Sequence, residues 1–266
     1  MKISHESPIC LLDESRRFND YDYALVHLFE EHPKYYEFFK KSVEMGREVL
    51  LDNSIFELGV SFDPERFAYW IKKLKPTSYI IPDVLEDVDG TMTQAYDWFQ
   101  NPKYASLPGK RIGVLQGKTY EEIVECYKRM TSLGVDSIAI SFDYSMYETL
   151  FPHPIKLVSW CFGRVRLINE LIDQRVIDYS IPVHLLGCSS IMEFSLYRDE
   201  KYSFIKSLDT SNPITLSLDN SKYTVESILV TKPKTKLFQL IDTQMTENQY
   251  KLVLENTSYF RQIVNG

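Results

Sequence analysis

Glu48-Val49-Leu50-Leu51-Asp52-Asn53-Ser54 decides how this chain is read: an apolar run of buried-strand length stops abruptly at polar side chains. The pattern recurs. Further strand candidates fall at 8–12, 78–82, 111–116, 137–142, 183–187 and 204–209, with helical segments between them at 23–45, 64–74, 90–99, 120–133, 155–172 and 190–200. An eighth strand is expected at 215–218 or 236–240, followed by a closing helix at 246–263. Short apolar strands alternating with helices at this spacing predict an α/β fold, a (β/α)8 TIM-type barrel that is irregular near its last strand. No glycine-rich turn follows the first strand, which argues against a dinucleotide-binding fold. Asp63-Pro64 reads as a helix N-cap with proline at the first helical position, and Asp89 as the cap of the next helix.

A length of 266 residues suits one barrel domain over 1–266, with 219–266 packed onto it. Hydrophobic residues make up 44% and charged residues 25%, the balance of a globular enzyme rather than a disordered chain. No apolar run reaches membrane-helix length and no signal pattern opens the sequence, so no membrane association is expected and the protein should remain cytoplasmic. Cys10, Cys126, Cys161 and Cys188 are dispersed, which predicts buried thiols in a reducing compartment and no metal site. The formal charge of −7 offers no global attraction for nucleic acid, though a local patch could still supply it.

Barrel enzymes place their chemistry at the carboxyl ends of the strands. Five motifs end there: Asp52-Asn53-Ser54-Ile55-Phe56-Glu57, Ile80-Ile81-Pro82-Asp83, Leu115-Gln116-Gly117, Leu185-Leu186-Gly187 and Asp209-Thr210-Ser211-Asn212-Pro213. Each has a bland alternative. Asp209 and Asp52 could serve local turns, Asp83 belongs to an acidic run with Glu86, Asp87 and Asp89, and Gln116 could satisfy backbone at the rim. Phe56 and Phe142 read first as packing residues, and His184 as a satisfied core histidine.

In order and spacing these motifs resemble the tRNA-guanine transglycosylase superfamily, over roughly residues 45 to 215. Asp52-Asn53-Ser54-Ile55-Phe56-Glu57 matches the aspartate and aromatic of the family's Asp-Ser-Gly-Gly-Phe-Gln motif. Asp83 matches its base-binding aspartate, and Leu115-Gln116-Gly117 its Val-Gln-Gly. Ile140-Ser141-Phe142 stands where the family has Gly-Gly-Leu, Leu186-Gly187 where it has Met-Gly, and Asp209 through Thr215 where it has Asp-Cys-Val-x-Pro-Thr-Arg; the arginine is not kept. The resemblance implies Asp209 as a nucleophile and Asp52 as a general acid/base. It further implies a base pocket of Asn53, Phe56, Asp83, Gln116, Gly117, Ser141, Phe142, Leu186 and Gly187, with no cofactor.

That chemistry is coherent by itself. Cleaving a glycosidic bond develops positive charge at the anomeric carbon, which a carboxylate can trap, while a second carboxyl group manages protons. Asp83 and Gln116 have the acceptor and donor character that guanine requires. The tRNA-acting relatives carry a Cys-x-Cys-x-x-Cys zinc site near their C-terminus, and no cysteine follows Cys188 here. A barrel without the zinc-binding subdomain better resembles the branch found in bacteria and phages that inserts 7-deazaguanines into DNA. The expectation is therefore base exchange with nucleic acid as partner, DNA before tRNA, in a bacterial or virus-infected bacterial cell. A nucleobase glycosidase, a tRNA-acting enzyme and a non-catalytic binding subunit are the alternatives, and a homodimer is left open. Lys110 with Arg111, Arg164 with Arg166, and Lys232, Lys234 and Lys236 are the candidate backbone contacts.

Overall fold

The computed structural model describes residues 1–224 and 237–266. Eight strands form one sheet in the order β1-β8-β7-β6-β5-β4-β3-β2, with helices between successive strands: a (β/α)8 TIM-type arrangement whose seam lies between β1 and β2. The strands are β1 (Lys2–Ser4), β2 (Asp22–Leu25), β3 (Val49–Asp52), β4 (Ser78–Ile80), β5 (Lys110–Val114), β6 (Ser137–Ser141), β7 (Val183–Leu186) and β8 (Ile205–Asp209). The described residues divide into two compact units. The first comprises Met1–Asp20, Ser141–Ser180 and His184–Gly266; the second comprises Tyr21–Ile140 and Ile181–Val183.

In the second unit β2, β3, β4, β5 and β6 pair in parallel, Leu25 opposite Asp52 and Ile80 opposite Ile112. Its helices are α1 (Pro33–Glu44), α2 (Pro64–Leu74), α3 (Val88–Gln100) and α4 (Tyr120–Leu133). Helix α2 begins as the sequence predicts: Asp63 accepts from the Arg66 N–H at 2.9 Å, with Pro64 at the first helical position. Helix α3 is capped by Asp87 rather than Asp89, which instead pairs with Arg129 at 2.9 Å. Helix α4 buries Ile123, Cys126, Tyr127 and Met130, one face at helical spacing, and stops at Gly134 in the left-handed region.

In the first unit β1 pairs with β8 in parallel, Ser4 opposite Asp209. Helix α5 (Lys156–Asp173) follows β6, α6 (Asn212–Leu218) follows β8, and α7 (Glu247–Asn265) packs on α6. A capping box between Thr246 and Gln249 starts α7. Among the cysteines, Cys126 lies buried in the second unit and Cys161 and Cys188 in the first, while Cys10 is exposed.

Four sequence expectations about elements are corrected. The helix expected at 190–200 is a single turn, Met192–Ser195, followed by a turn of 3-10 helix, Glu200–Tyr202. Residues 8–12 form a turn of 3-10 helix and one helical turn, not a strand; the strands of that region are β1 and β2. Residues 22–25, expected at the start of a long helix, are β2, and that helix is reduced to a single turn, Leu28–Glu31, and α1. Residues 215–218 belong to α6, where Pro213 near the first turn favours helix; of the other candidate, Leu237–Leu240 form a turn of 3-10 helix rather than a strand, and residue 236 lies outside the described residues. Among the described residues no helix is long and apolar enough to cross a membrane.

Candidate functional site

In the second unit, the ends of β3, β4 and β5 bring Asn53, Asp83 and Gln116 into one hydrogen-bonded row. Asn53 Nδ2 donates to Asp83 Oδ1 at 2.7 Å, and Gln116 Nε2 donates to Asp83 Oδ2 at 2.6 Å. Backbone donors fix the sense of both amides: Ile55 N–H reaches Asn53 Oδ1 at 3.0 Å, and Glu86 N–H reaches Gln116 Oε1 at 2.8 Å. The two amide NH2 groups must therefore face the carboxylate. Ser61 braces the backbone of Asp83, accepting from its N–H at 3.0 Å and donating to its carbonyl at 2.6 Å. Burial raises the Asp83 carboxyl to about 6, against the pull of the Asn53 and Gln116 hydrogen bonds.

Asp52 closes β3 beside this row and is buried. The Tyr23 hydroxyl donates to Oδ2 at 2.5 Å and the Ser54 N–H to Oδ1 at 2.5 Å, so the turn expected from Asp52-Asn53-Ser54 does form. Phe56, read from sequence as packing or stacking, is 42% exposed in the single turn Ile55–Leu58 after β3. Gly117 has a structural cause: a Cβ there would lie 2.8 Å from the Glu122 Cβ at the start of α4.

In the first unit, Asp209 is the last residue of β8 and is buried. Its Oδ1 lies 3.0 Å from His184 Nε2 and accepts from the Gly187 N–H at 3.4 Å; among the described residues no hydrogen bond reaches Oδ2. A carboxylate offers only lone pairs, so His184 donates to it from Nε2, while Nδ1 lies 2.9 Å from the Ser207 hydroxyl. The turn after β8 is closed by Thr210, whose Oγ1 accepts from the Asn212 N–H at 3.0 Å, so Asp209 does not serve as its cap. His184 is indeed a satisfied core histidine, and its partners are Asp209 and Ser207.

That N–H belongs to the peptide joining Leu186 and Gly187. The fully buried Arg164 donates to their carbonyls at 2.8 and 3.1 Å while forming an equally buried ion pair with Glu193. Gly187 has φ +64°, and a Cβ would meet the Phe142 ring at 2.3 Å, so only glycine lets that ring lie against the loop. Phe142 is a packing residue, edge-on to Trp160. Ser141 is engaged locally: Oγ donates to Asp143 at 2.6 Å and its carbonyl accepts from Tyr147 at 2.7 Å.

The sequence matches no family model and no curated protein.

Several expected nucleic acid contacts are corrected. Arg164 is inside the protein, and Arg166 is bound to Glu170 and the Leu150 carbonyl. Lys110 and Arg111 begin β5, the opposite end of that strand from Gln116, and Arg111 covers the Phe99 ring at 3.9 Å. Lys232, Lys234 and Lys236 lie outside the described residues. Among the described residues no three His, Cys, Asp or Glu side chains gather as a metal centre requires. Sequence reasoning missed Tyr23 and the role of His184; the clue to both was a polar ring embedded in an apolar run.

Proposed function

We propose that the chain is a guanine transglycosylase-like enzyme that replaces guanine in DNA with a 7-deazaguanine base through a covalent aspartyl-glycosyl intermediate. The observation that supports this best is the state of Asp209. Asp52 and Asp83 have both oxygens engaged, whereas Asp209 has Oδ1 anchored by His184 and Gly187 and Oδ2 left open. A carboxylate held by one oxygen presents the other in a fixed direction, as attack on an anomeric carbon demands.

In this reading Oδ2 forms a bond to C1′ as the C1′–N9 bond breaks, and guanine leaves with the bonding electron pair. Asp52 supplies the proton that neutralises the departing base, then removes the N9 proton of the incoming base, which attacks C1′ and expels Asp209. Asp83 accepts from N1–H and the exocyclic amine of guanine, two parallel donors matched to its two oxygens, in an orientation that Asn53 and Gln116 fix. His184 and Gly187 hold the nucleophile. A nucleotide within a duplex must be turned out of the stack first.

The test is mass spectrometry of nucleosides from DNA and from tRNA, each incubated with protein and candidate 7-deazaguanines. Modified DNA with unmodified tRNA is the expected result; free guanine with an abasic site would make the protein a glycosidase instead. Asp209→Ala should abolish exchange while leaving DNA binding intact, and an active Asp209→Ala protein removes the nucleophile.

A further inference from the structure

Two buried hydroxyls on the segments neighbouring Asp209, those of Ser4 and Ser189, have no hydrogen-bond partner among the described residues. Ser4 ends β1 directly opposite Asp209 in a parallel pair, so the two side chains project from the same face. Ser4 is fully buried, its carbonyl accepts from the Thr210 N–H at 3.0 Å, and its Oγ has no hydrogen-bond partner among the described residues. Ser189 follows β7, two residues beyond the Gly187 N–H that holds Asp209, and it too is buried with an unpartnered Oγ. The sheet order β1-β8-β7 sets Asp209 between the elements that carry them. Buried hydroxyls nearly always find partners, and one left unmade destabilises the fold.

We propose that Ser4 and Ser189 form a pentose subsite, hydrogen bonding the oxygens of the sugar whose anomeric carbon Asp209 Oδ2 addresses. The inference rests on the reading of Asp209 as the sugar-attacking group. A neutral sugar suits the place better than a phosphate does. The open carboxylate oxygen repels an anion, whereas sugar hydroxyl and ether oxygens give acceptors to both serines and, where a hydroxyl is present, a donor to the carboxylate.

The experiment measures equilibrium binding of guanosine, 2′-deoxyguanosine and free guanine to the intact protein and to the Ser4→Ala and Ser189→Ala variants, together with the melting temperature of each ligand-free protein. Each substitution should weaken both nucleosides by roughly fivefold to tenfold, the effect of one hydrogen bond, and leave guanine unchanged within about twofold. Both should raise the ligand-free melting temperature by about 2 °C, because a buried unpaired hydroxyl is removed. Unchanged nucleoside affinity in both variants overturns the subsite, as does a wild-type protein that binds no nucleoside. A fall in melting temperature in both variants also overturns it, since the hydroxyls would then serve the fold. Failure of the base-exchange reading looks different: an active Asp209→Ala protein with serine-dependent nucleoside binding removes the nucleophile and leaves the sugar contacts standing.

Discussion

Asp83 couples the charge of its hydrogen-bonded row with Asn53 and Gln116 to pH. Its carboxyl titrates at about 6 in the native protein, against an ordinary value near 3.8. Between those values the native state holds a proton that the unfolded chain has released, so the free energy of unfolding falls as pH rises. Over that window the loss reaches about 3 kcal/mol, and it levels off above pH 6. Denaturant titrations at pH 4, 5, 6 and 7 should show this decline, and Asp83→Asn should flatten it. Guanine affinity should run the other way, dropping about tenfold per unit below pH 6 as the acceptor carboxylate is protonated. The carboxylates and Gln116 were legible in the sequence because each ends an apolar run. Their partners were not: Tyr23 and Asp52 are 29 residues apart, and His184 and Asp209 are 25 apart. Hydrogen bonds across strands leave no local pattern to read.

At the scale of elements, the loop after β7 depends on a buried ion pair. Arg164 on α5 supports two loop carbonyls and is balanced by Glu193, which also accepts from Tyr197 at 2.7 Å. Arg164→Ala leaves Glu193 charged and unpaired inside the protein and should cost about 3–5 kcal/mol by thermal or chemical unfolding. The double variant Arg164→Met, Glu193→Leu should recover most of that loss, since it removes both charges. Its exchange activity should stay low, because the Leu186 and Gly187 carbonyls are no longer held. The sequence alone invited reading Arg164 as a surface contact, since one basic residue in a mixed helix carries no sign of burial. Helices α2 and α4 were legible to the residue, each having a cap, an apolar face and a clear stop. Strands β1 and β2 were not, because Lys2–Ser4 holds a single apolar residue, Asp22–Leu25 runs into the pattern read as helix over 23–45, and 8–12 was the longer apolar run.

For the whole molecule, a net charge of −7 means that the proposed DNA binding would have to come from a local group of cations. With Arg164 buried, Arg166 paired with Glu170 and Arg111 laid on Phe99, and with Lys110 at the far end of β5 from Gln116, Lys232, Lys234 and Lys236 are the basic stretch to test first among those considered. Replacing the three with glutamine should lower the slope of log affinity against log salt by about two to three and weaken DNA of any sequence alike; an unchanged slope in a binding titration would count against them. The cysteines make the two units separately observable. Burial pushes the Cys126 thiol up to about 11 and the Cys161 thiol higher still, so a native molecule resists alkylation at both while Cys10 stands exposed. Cys126 belongs to one unit and Cys161 to the other. Peptide-resolved pulse labelling along a denaturant series would therefore read each unit on its own thiol, and simultaneous labelling would show that the halves of this barrel open as one cooperative body.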